Sequence, residues 1–544
     1  MPHSSPLMHA MSGNHSGRVL LLGFLEQGNL GIGYLSASLQ KLGIRTTVRD
    51  IRSPIEDIAG VIRRENPALV GFSLIFEYFL YTLADLVKNL RFEKFEAHFT
   101  VGGHYPSLSP SAVLDAIAGI DSVVMFEGEQ TLCHLVEALC AGLDWRTVKG
   151  IGFRRGTGVE TTPLRPPVEN LDTLPFPDRP YEPNKILGRA FMPILASRGC
   201  PRRCAFCSIQ SFYGAAGGKL VRRRSPARVV DEMEHLLETR GISVFLFQDD
   251  DFPMGGAKGR SWTTAFLAEL RKQALDRRVL WKISCRADDL DYWQLLEMRA
   301  HGLYLVYIGI ESGNAEGLRT LNKGTSVEQN LEAAALVLRA GLQFNYGFML
   351  FDPSSSLASI RANIDCLEKL TAGGASPVSF CKMLPYTGTP IMRLLKEAGR
   401  LTTINGQPDY RFEASEIDDL FGDVMRLSAP WLKAAPELSV TLGLLQHESV
   451  VMQRSCPSLK DIADYRLRID AVIEESNTRL LGVLRTCLEA YETNGVIDVR
   501  PGDTLRYCRS SARRALEARD AYVRRNQRAI MADMAGCREA WQAG

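Results

Sequence analysis

Cys200, Cys204 and Cys207 stand in Arg198-Gly199-Cys200-Pro201-Arg202-Arg203-Cys204-Ala205-Phe206-Cys207. Three thiolates on one short loop can ligate three irons of a four-iron cluster and leave the fourth iron without a protein ligand, open to chemistry. A zinc site usually takes four ligands, often as two CxxC pairs about 15 to 20 residues apart, and the next cysteine after this loop is Cys285. A disulfide framework fits no better. The 12 cysteines are scattered over 544 residues, several in apolar stretches (Cys133, Cys140, Cys366, Cys487), and no secretory signal precedes them. Thiolate ligation of an iron–sulfur cluster, in a reducing cytoplasm, is the reading that remains.

The CxxxCxxC spacing, with aromatic Phe206 before the last cysteine, resembles the signature of the radical S-adenosylmethionine (SAM) superfamily. The resemblance implies a [4Fe-4S] cluster on Cys200, Cys204 and Cys207, with SAM chelated to the open iron. One electron, from a donor such as flavodoxin or ferredoxin, then cleaves SAM to a 5′-deoxyadenosyl radical. The cofactor carries the hard chemistry and the protein aims it.

The elements that must position this loop are legible around it. The length suggests about three domains. Lys plus Arg number 64 against 62 for Asp plus Glu, and a net charge of +2 gives no electrostatic footprint for nucleic acid. A hydrophobic fraction of 45% with mean hydropathy −0.07 is that of a globular chain. No apolar run reaches the roughly 18 residues of a membrane span. Residues 1–17 are polar and read as a disordered lead-in.

From 18 to 147, apolar runs at Arg18–Leu25, Arg45–Asp50, Leu69–Ile75, His98–Gly103 and Ser122–Gly128 alternate with helical patterns, which predicts a doubly wound parallel sheet. Ligands of such sheets sit beyond the carboxyl ends of the strands. Gly28-Asn29-Leu30-Gly31-Ile32-Gly33, Gly102-Gly103-His104-Tyr105-Pro106 and Phe126-Glu127-Gly128-Glu129-Gln130 occupy those places. Together they resemble the flavodoxin-like or Rossmann-like cobalamin-binding domain found upstream of many radical SAM cores. That resemblance implies cobalamin contacts from Gly31, Ser73, Gly102, Gly103, His104, Glu127 and Gly128, with His104 against the nucleotide tail. The familiar Asp-x-His-x-x-Gly motif, whose histidine ligates cobalt, is absent: the second strand ends Asp50-Ile51-Arg52-Ser53.

Residues 148–190 read as a hairpin and a proline-rich linker, since proline strings fix an extended path. From 191 to 400 the alternation restarts, with strands at Pro193–Ser197, Ser243–Gln248, Val279–Cys285, Leu303–Ile310, Gln343–Leu350 and Val378–Leu384, a partial (β/α)6 barrel whose first strand leads into the cysteine loop. The resemblance implies SAM contacts from Phe206, Asp249, Asp250, Glu311 and Ser312, with a magnesium site as the generic alternative for the Asp249–Asp251 run. Arg286 is either a partner for the SAM carboxylate or a surface salt bridge. Cys285 and Cys381 read as ordinary buried cysteines. Lys219-Leu220-Val221-Arg222-Arg223-Arg224 is either a solvated run or a patch for an anionic partner.

Residues 401–544 show helical periodicity without strand alternation and read as a helical cap. Trp431 is expected in its core, and His447 and Glu448 in solvent. The resemblance covers about residues 18 to 400. It implies an antibiotic-type, natural-product C-methyltransferase acting on an unactivated carbon of a small molecule. The alternatives are a cobalamin-dependent cyclase or oxidoreductase without methyl transfer, and an RNA methylthiotransferase. The latter family carries three further N-terminal cysteines where this chain has Cys133 and Cys140. Neither a nucleic-acid nor a membrane partner is expected.

Overall fold

The computed structural model describes residues 17–542 apart from 27, 187–188, 405 and 457, so all of the lead-in but Gly17 lies outside the described residues. Five strands, β1 (Arg18–Gly23), β2 (Arg45–Asp50), β3 (Leu69–Ser73), β4 (His98–Gly102) and β5 (Ser122–Val124), pair in parallel in the order β2-β1-β3-β4-β5. Their continuous apolar runs are covered by helices on both faces; Val19, Leu20 and Leu22 are wholly buried. The strand order reverses between β1 and β3, which creates a crevice at the switch point. The hairpin β6 (Ile151–Arg155) and β7 (Gly158–Thr161) extends the same sheet in antiparallel fashion.

β8 (Asn184–Ile186) pairs antiparallel with β9 (Arg189–Ile194), which leads into the two-residue ladder of β10 (Ser197–Arg198) and β11 (Arg222–Arg223). With β12 (Ile242–Phe247), β13 (Leu280–Arg286), β14 (Leu303–Glu311), β15 (Gln343–Phe351) and β16 (Cys381–Lys382), β9 forms a parallel six-strand half-barrel in the order β16-β15-β14-β13-β12-β9. The helix Pro226–Arg240 before β12 is capped by Ser225, which accepts from the Arg228 amide at 3.2 Å, and Gly241 ends it at φ +67°.

The C-terminal region departs from the expectation of helices alone. A hairpin of β17 (Leu401–Ile404) and β18 (Gln407–Tyr410) precedes the long helices Ser415–Leu432, Leu438–Ser455, Ile462–Glu492 and Pro501–Gln542. Trp431 is buried and its indole donates to Ser476 Oγ at 3.1 Å. His447 and Glu448 are not in solvent. His447 Nε2 meets Tyr304 OH at 2.9 Å and Glu448 accepts from Arg519 Nε at 2.9 Å, because helix Leu438–Ser455 lies against the barrel instead of outside it. With Val450 and Val451, that helix plugs the amino-terminal end of the barrel against Val244, Leu246, Leu280 and Leu305. Among the described residues no helix is long and apolar enough to cross a membrane.

One buried histidine makes a pH prediction. His98 on β4 meets Ser122 Oγ at 2.8 Å and packs edge-on against Trp145, and burial pushes its pKa down to about 4. The unfolded chain therefore takes up a proton below about pH 6.5 that the folded chain refuses. The contribution is absent as a penalty above pH 6.5 and grows as pH falls toward 4. Thermal melts across that window should show wild type losing up to about 3 kcal/mol relative to His98→Gln, which stays neutral. Parallel pH profiles for the two proteins would contradict this.

Candidate active site

The cysteine loop is held by its neighbours independently of any metal. Gly199 sits at φ +85°, and a Cβ there would run into the Leu220 carbonyl oxygen. Its amide donates to Asp250 Oδ2 at 2.9 Å. Asp249, fully enclosed, accepts from the Ala196 amide at 3.1 Å and from Ser197 Oγ at 2.5 Å. Both carboxylates implied as SAM contacts thus help to fix the loop. Burial pushes Asp249 up to about 7 and Asp250 to about 6. Gln210 Nε2 donates to the carbonyls of Cys200 and Arg202 at 3.1 and 2.6 Å, and the Ala205 amide donates to Leu321 O at 2.8 Å.

The three thiols are free and half-buried. Burial first, with the neighbouring thiols and Asp251 adding to it, raises Cys200 to about 12; burial likewise raises Cys207 to about 11. Their charges sense one another, as a ligand set around one group must, and a bound cluster takes the place of those protons. Among the described residues no trio of His, Cys, Asp or Glu side chains closes on a single ion.

Arg286 is no surface ion pair. It is buried, with Nη1 3.6 Å from Cys204 Sγ, Nη2 donating to Lys323 O at 2.5 Å and Nε to Asp288 at 2.9 Å, so it props the cluster loop. Glu311, at φ +66°, pairs with buried Lys323 at 3.1 Å, a residue sequence reasoning passed over. Ser312 is fully buried, its hydroxyl 3.1 Å from Asn363 Oδ1, on the helix side of the sheet. Phe206 packs on the barrel core. Cys285 is buried as expected, whereas Cys381 is exposed, because its strand is only two residues long and faces the open barrel interior.

A second site lies at the switch point of the first sheet. A cavity of about 280 Å³ is lined by Gly31, Ser73, Gly102, Gly103, His104, Glu127 and Gly128, so the seven residues singled out in the sequence meet around one space. The glycines serve the fold as well. Gly103 sits at φ +122°, where a Cβ would strike the Leu74 carbonyl oxygen, and a Cβ on Gly102 would stand 3.2 Å from Val124 O. Burial pushes His104 down to about 4, and its ring stands edge-on to Phe212 at 4.2 Å. A neutral imidazole among small and apolar residues suits a flat heterocyclic base, and the residues present fit the tail of a corrinoid.

Sequence reasoning missed the far wall. Phe212 and Tyr213, on the helix Ile209–Ala215 that follows the cysteine loop, and Arg198, just before it, close the cavity from the barrel side. Arg198 and Arg222 bind the two units. Arg222 grips Glu127 in a fork of 2.7 and 2.9 Å, and Arg198 lies 3.2 Å from Glu127 and 2.7 Å from Glu129. Burial opposes ionisation of Glu127, yet Arg222 and Arg198 hold its pKa below the usual carboxylate value. Arg224 pairs with Glu232 at 2.6 Å. The basic run is therefore divided: Arg222 and Arg224 are interior, while Lys219 and Arg223 are exposed. The proline-rich strap is interlocked too. Val168 N donates to Glu127 at 2.8 Å, Asp178 accepts from Ser36 at 2.7 Å, and Arg179 pairs with Glu232 at 2.6 Å.

The B12 binding domain family matches residues 25–136 and the Radical SAM superfamily matches residues 194–362, one on each site. The chain is 28% identical over 383 residues to an uncharacterized methyltransferase of Pyrococcus horikoshii, covering 69% of this chain and 80% of that protein. It is 28% identical over 484 residues to the hopanoid C-3 methylase of Methylococcus capsulatus, covering 86% and 83%. In fold it resembles the cobalamin-dependent SAM radical enzyme OxsB, solved with aqua-cobalamin and SAM bound, at TM-score 0.62 and 19% identity over 91% of this chain and 84% of that one. With a cysteine loop and a switch-point cavity walled by the residues that flank it, the chain is a member of the radical SAM superfamily that carries an amino-terminal B12-binding domain.

Proposed function

We propose that this enzyme is a cobalamin-dependent radical SAM C-methyltransferase that acts in the cytoplasm on an unactivated carbon of a small-molecule intermediate, with electrons from a flavodoxin- or ferredoxin-type donor. The observation that carries the reading is the shared wall: Arg198, Phe212 and Tyr213 flank Cys200–Cys207 and also line the switch-point cavity, so two cofactor sites stand across one interface. When bound, the cluster with SAM supplies a 5′-deoxyadenosyl radical and the corrinoid supplies a methyl group. The protein's part is to hold a carbon between the two sources, where orientation replaces collision.

The chain's own residues frame that space. Phe76, after β3, packs at a tilt against Tyr386 of the barrel at 5.4 Å between ring centres, and Glu77 hydrogen-bonds Thr387. These contacts join the carboxyl end of the first sheet to the mouth of the barrel. Ile75, Phe76, Tyr307 and Leu384 are large apolar side chains left exposed there, a lining suited to shielding a radical from water. The names of the two methylases above support methyl transfer. Anaerobic turnover should yield methylated product, S-adenosylhomocysteine and 5′-deoxyadenosine in equal amounts. Formation of 5′-deoxyadenosine with product but without S-adenosylhomocysteine would leave a cyclase or oxidoreductase instead.

A further inference from the structure

Lys282 stands where an uncompensated charge has no structural use. β13 alternates: Trp281, Ile283 and Cys285 enter the helix-facing core, while Leu280 joins the apolar plug of the barrel interior, which puts Lys282 and Ser284 on the concave face. Lys282 pairs in register with Leu246 on β12 and Leu305 on β14, both apolar. Below it lie Val450 and Val451 of the plug, and His447, whose Nε2 is engaged by Tyr304. Among the described residues its ammonium has neither an ion pair nor a hydrogen bond. Asp249, the carboxylate whose charge reaches it, is taken up by Ala196 and Ser197. The space above is open and mixed in character: Gln248 and Cys381 are exposed, and Ser284, Asn345 and Met349 are half-exposed on the same face.

A half-buried ammonium without a counterion destabilises a fold, and methionine would fill the same volume without that cost. A compact cation on a flexible four-carbon stem, aimed into a chamber, suits a carboxylate or phosphoryl group. Lys282 lies four residues below Arg286, and Arg286 touches Cys204 Sγ at 3.6 Å; at about 3.3 Å per residue that is roughly 13 Å beneath the cluster loop. We propose that Lys282 is the anchor for an anionic group of the substrate, a carboxylate or phosphate, held at the base of the barrel so that the reacting carbon lies above it. This rests on the barrel interior being the substrate chamber of the proposed methyltransferase.

The test uses the full chain loaded with cluster and cobalamin, and inorganic phosphate as the probe. Wild type should melt higher in phosphate than in chloride at matched ionic strength. Lys282→Met should melt about 2 °C higher than wild type in chloride, lose the response to phosphate, and bind SAM within twofold of wild type. Three results would each overturn the proposal: no phosphate response in wild type, a Lys282→Met protein less stable than wild type, or a tenfold loss of SAM affinity, which would make the lysine a cofactor contact. None of these readings involves methyl transfer. A phosphate response with no methylated product would fail the proposed function alone.

Discussion

Alanine at Cys200, Cys204 or Cys207 should abolish 5′-deoxyadenosine formation while leaving the protein folded and able to retain cobalamin. The loss is complete in kind, because two thiolates do not hold the cluster in register, and turnover should fall to the uncatalysed level, at least about 10⁶-fold. Retention of the fold follows from how the loop is held. Its backbone is fixed by Asp249, Asp250, Gln210 and Leu321, none of which needs a metal, and the thiols themselves are half-buried. The cavity wall at Phe212 and Tyr213 depends on those contacts and not on the sulfurs. Anaerobic reconstitution with iron, sulfide and hydroxocobalamin, read by absorption spectra and product chromatography, separates the two cofactors. Residual SAM cleavage in the triple variant would overturn the cluster assignment.

Glu127→Gln should damage the other site without touching the cysteines. The carboxylate is 9% exposed, Arg222 is 1% exposed and Arg198 is 10% exposed, so removing the one negative charge they share strands buried guanidinium charge. Breaking a buried pair in this way costs about 3–5 kcal/mol, and the amide also loses the fork geometry that two carboxylate oxygens give. The consequence for function is indirect: Glu127 ties the loop after β5 to Val168 of the strap and to β11, and so sets the distance between the glycine-lined wall and Phe212. Cobalamin should be lost on gel filtration and the melting transition should fall by several degrees. In the double variant Glu127→Gln/Arg222→Met much of the stability should return, a coupling of about 1–3 kcal/mol between neighbours. Simple additivity of the two changes would contradict the clamp.

What could be read from the sequence was what is local. The cysteine spacing and the glycine turns are short strings whose geometry is set by the residues themselves, and they led to both sites. The ion pairs were illegible because their partners are distant: Arg198 meets Glu129 69 residues away and Arg222 meets Glu127 95 residues away. A run such as Lys219–Arg224 looks identical whether it is solvated or interior. His447 and Glu448 were misplaced for the same reason, since periodicity gives a helix face and says nothing of which domain covers it. The hairpin at 401–410 left a signal that was available, the Asn405-Gly406 pair typical of tight turns, flanked by Leu401–Ile404. Lys323 and Lys282 look like surface lysines in any window; only the fold brings the loop after helix Ala315–Thr320 to Glu311, and only the strand register turns Lys282 into the barrel.

The plug of Val450 and Val451 bears on how the enzyme is made. A ribosome finishes all six barrel strands by Lys382, and the helix that seals the barrel's amino-terminal end is still unsynthesised. For the seconds that separate them, Val244, Leu246, Leu280 and Leu305 form an unsealed apolar bowl on a nascent chain. Expression of this protein should therefore respond to chaperone supply and to translation pauses after residue 382. Fragments that stop at the end of the barrel should aggregate even though every barrel strand and every cluster ligand is present.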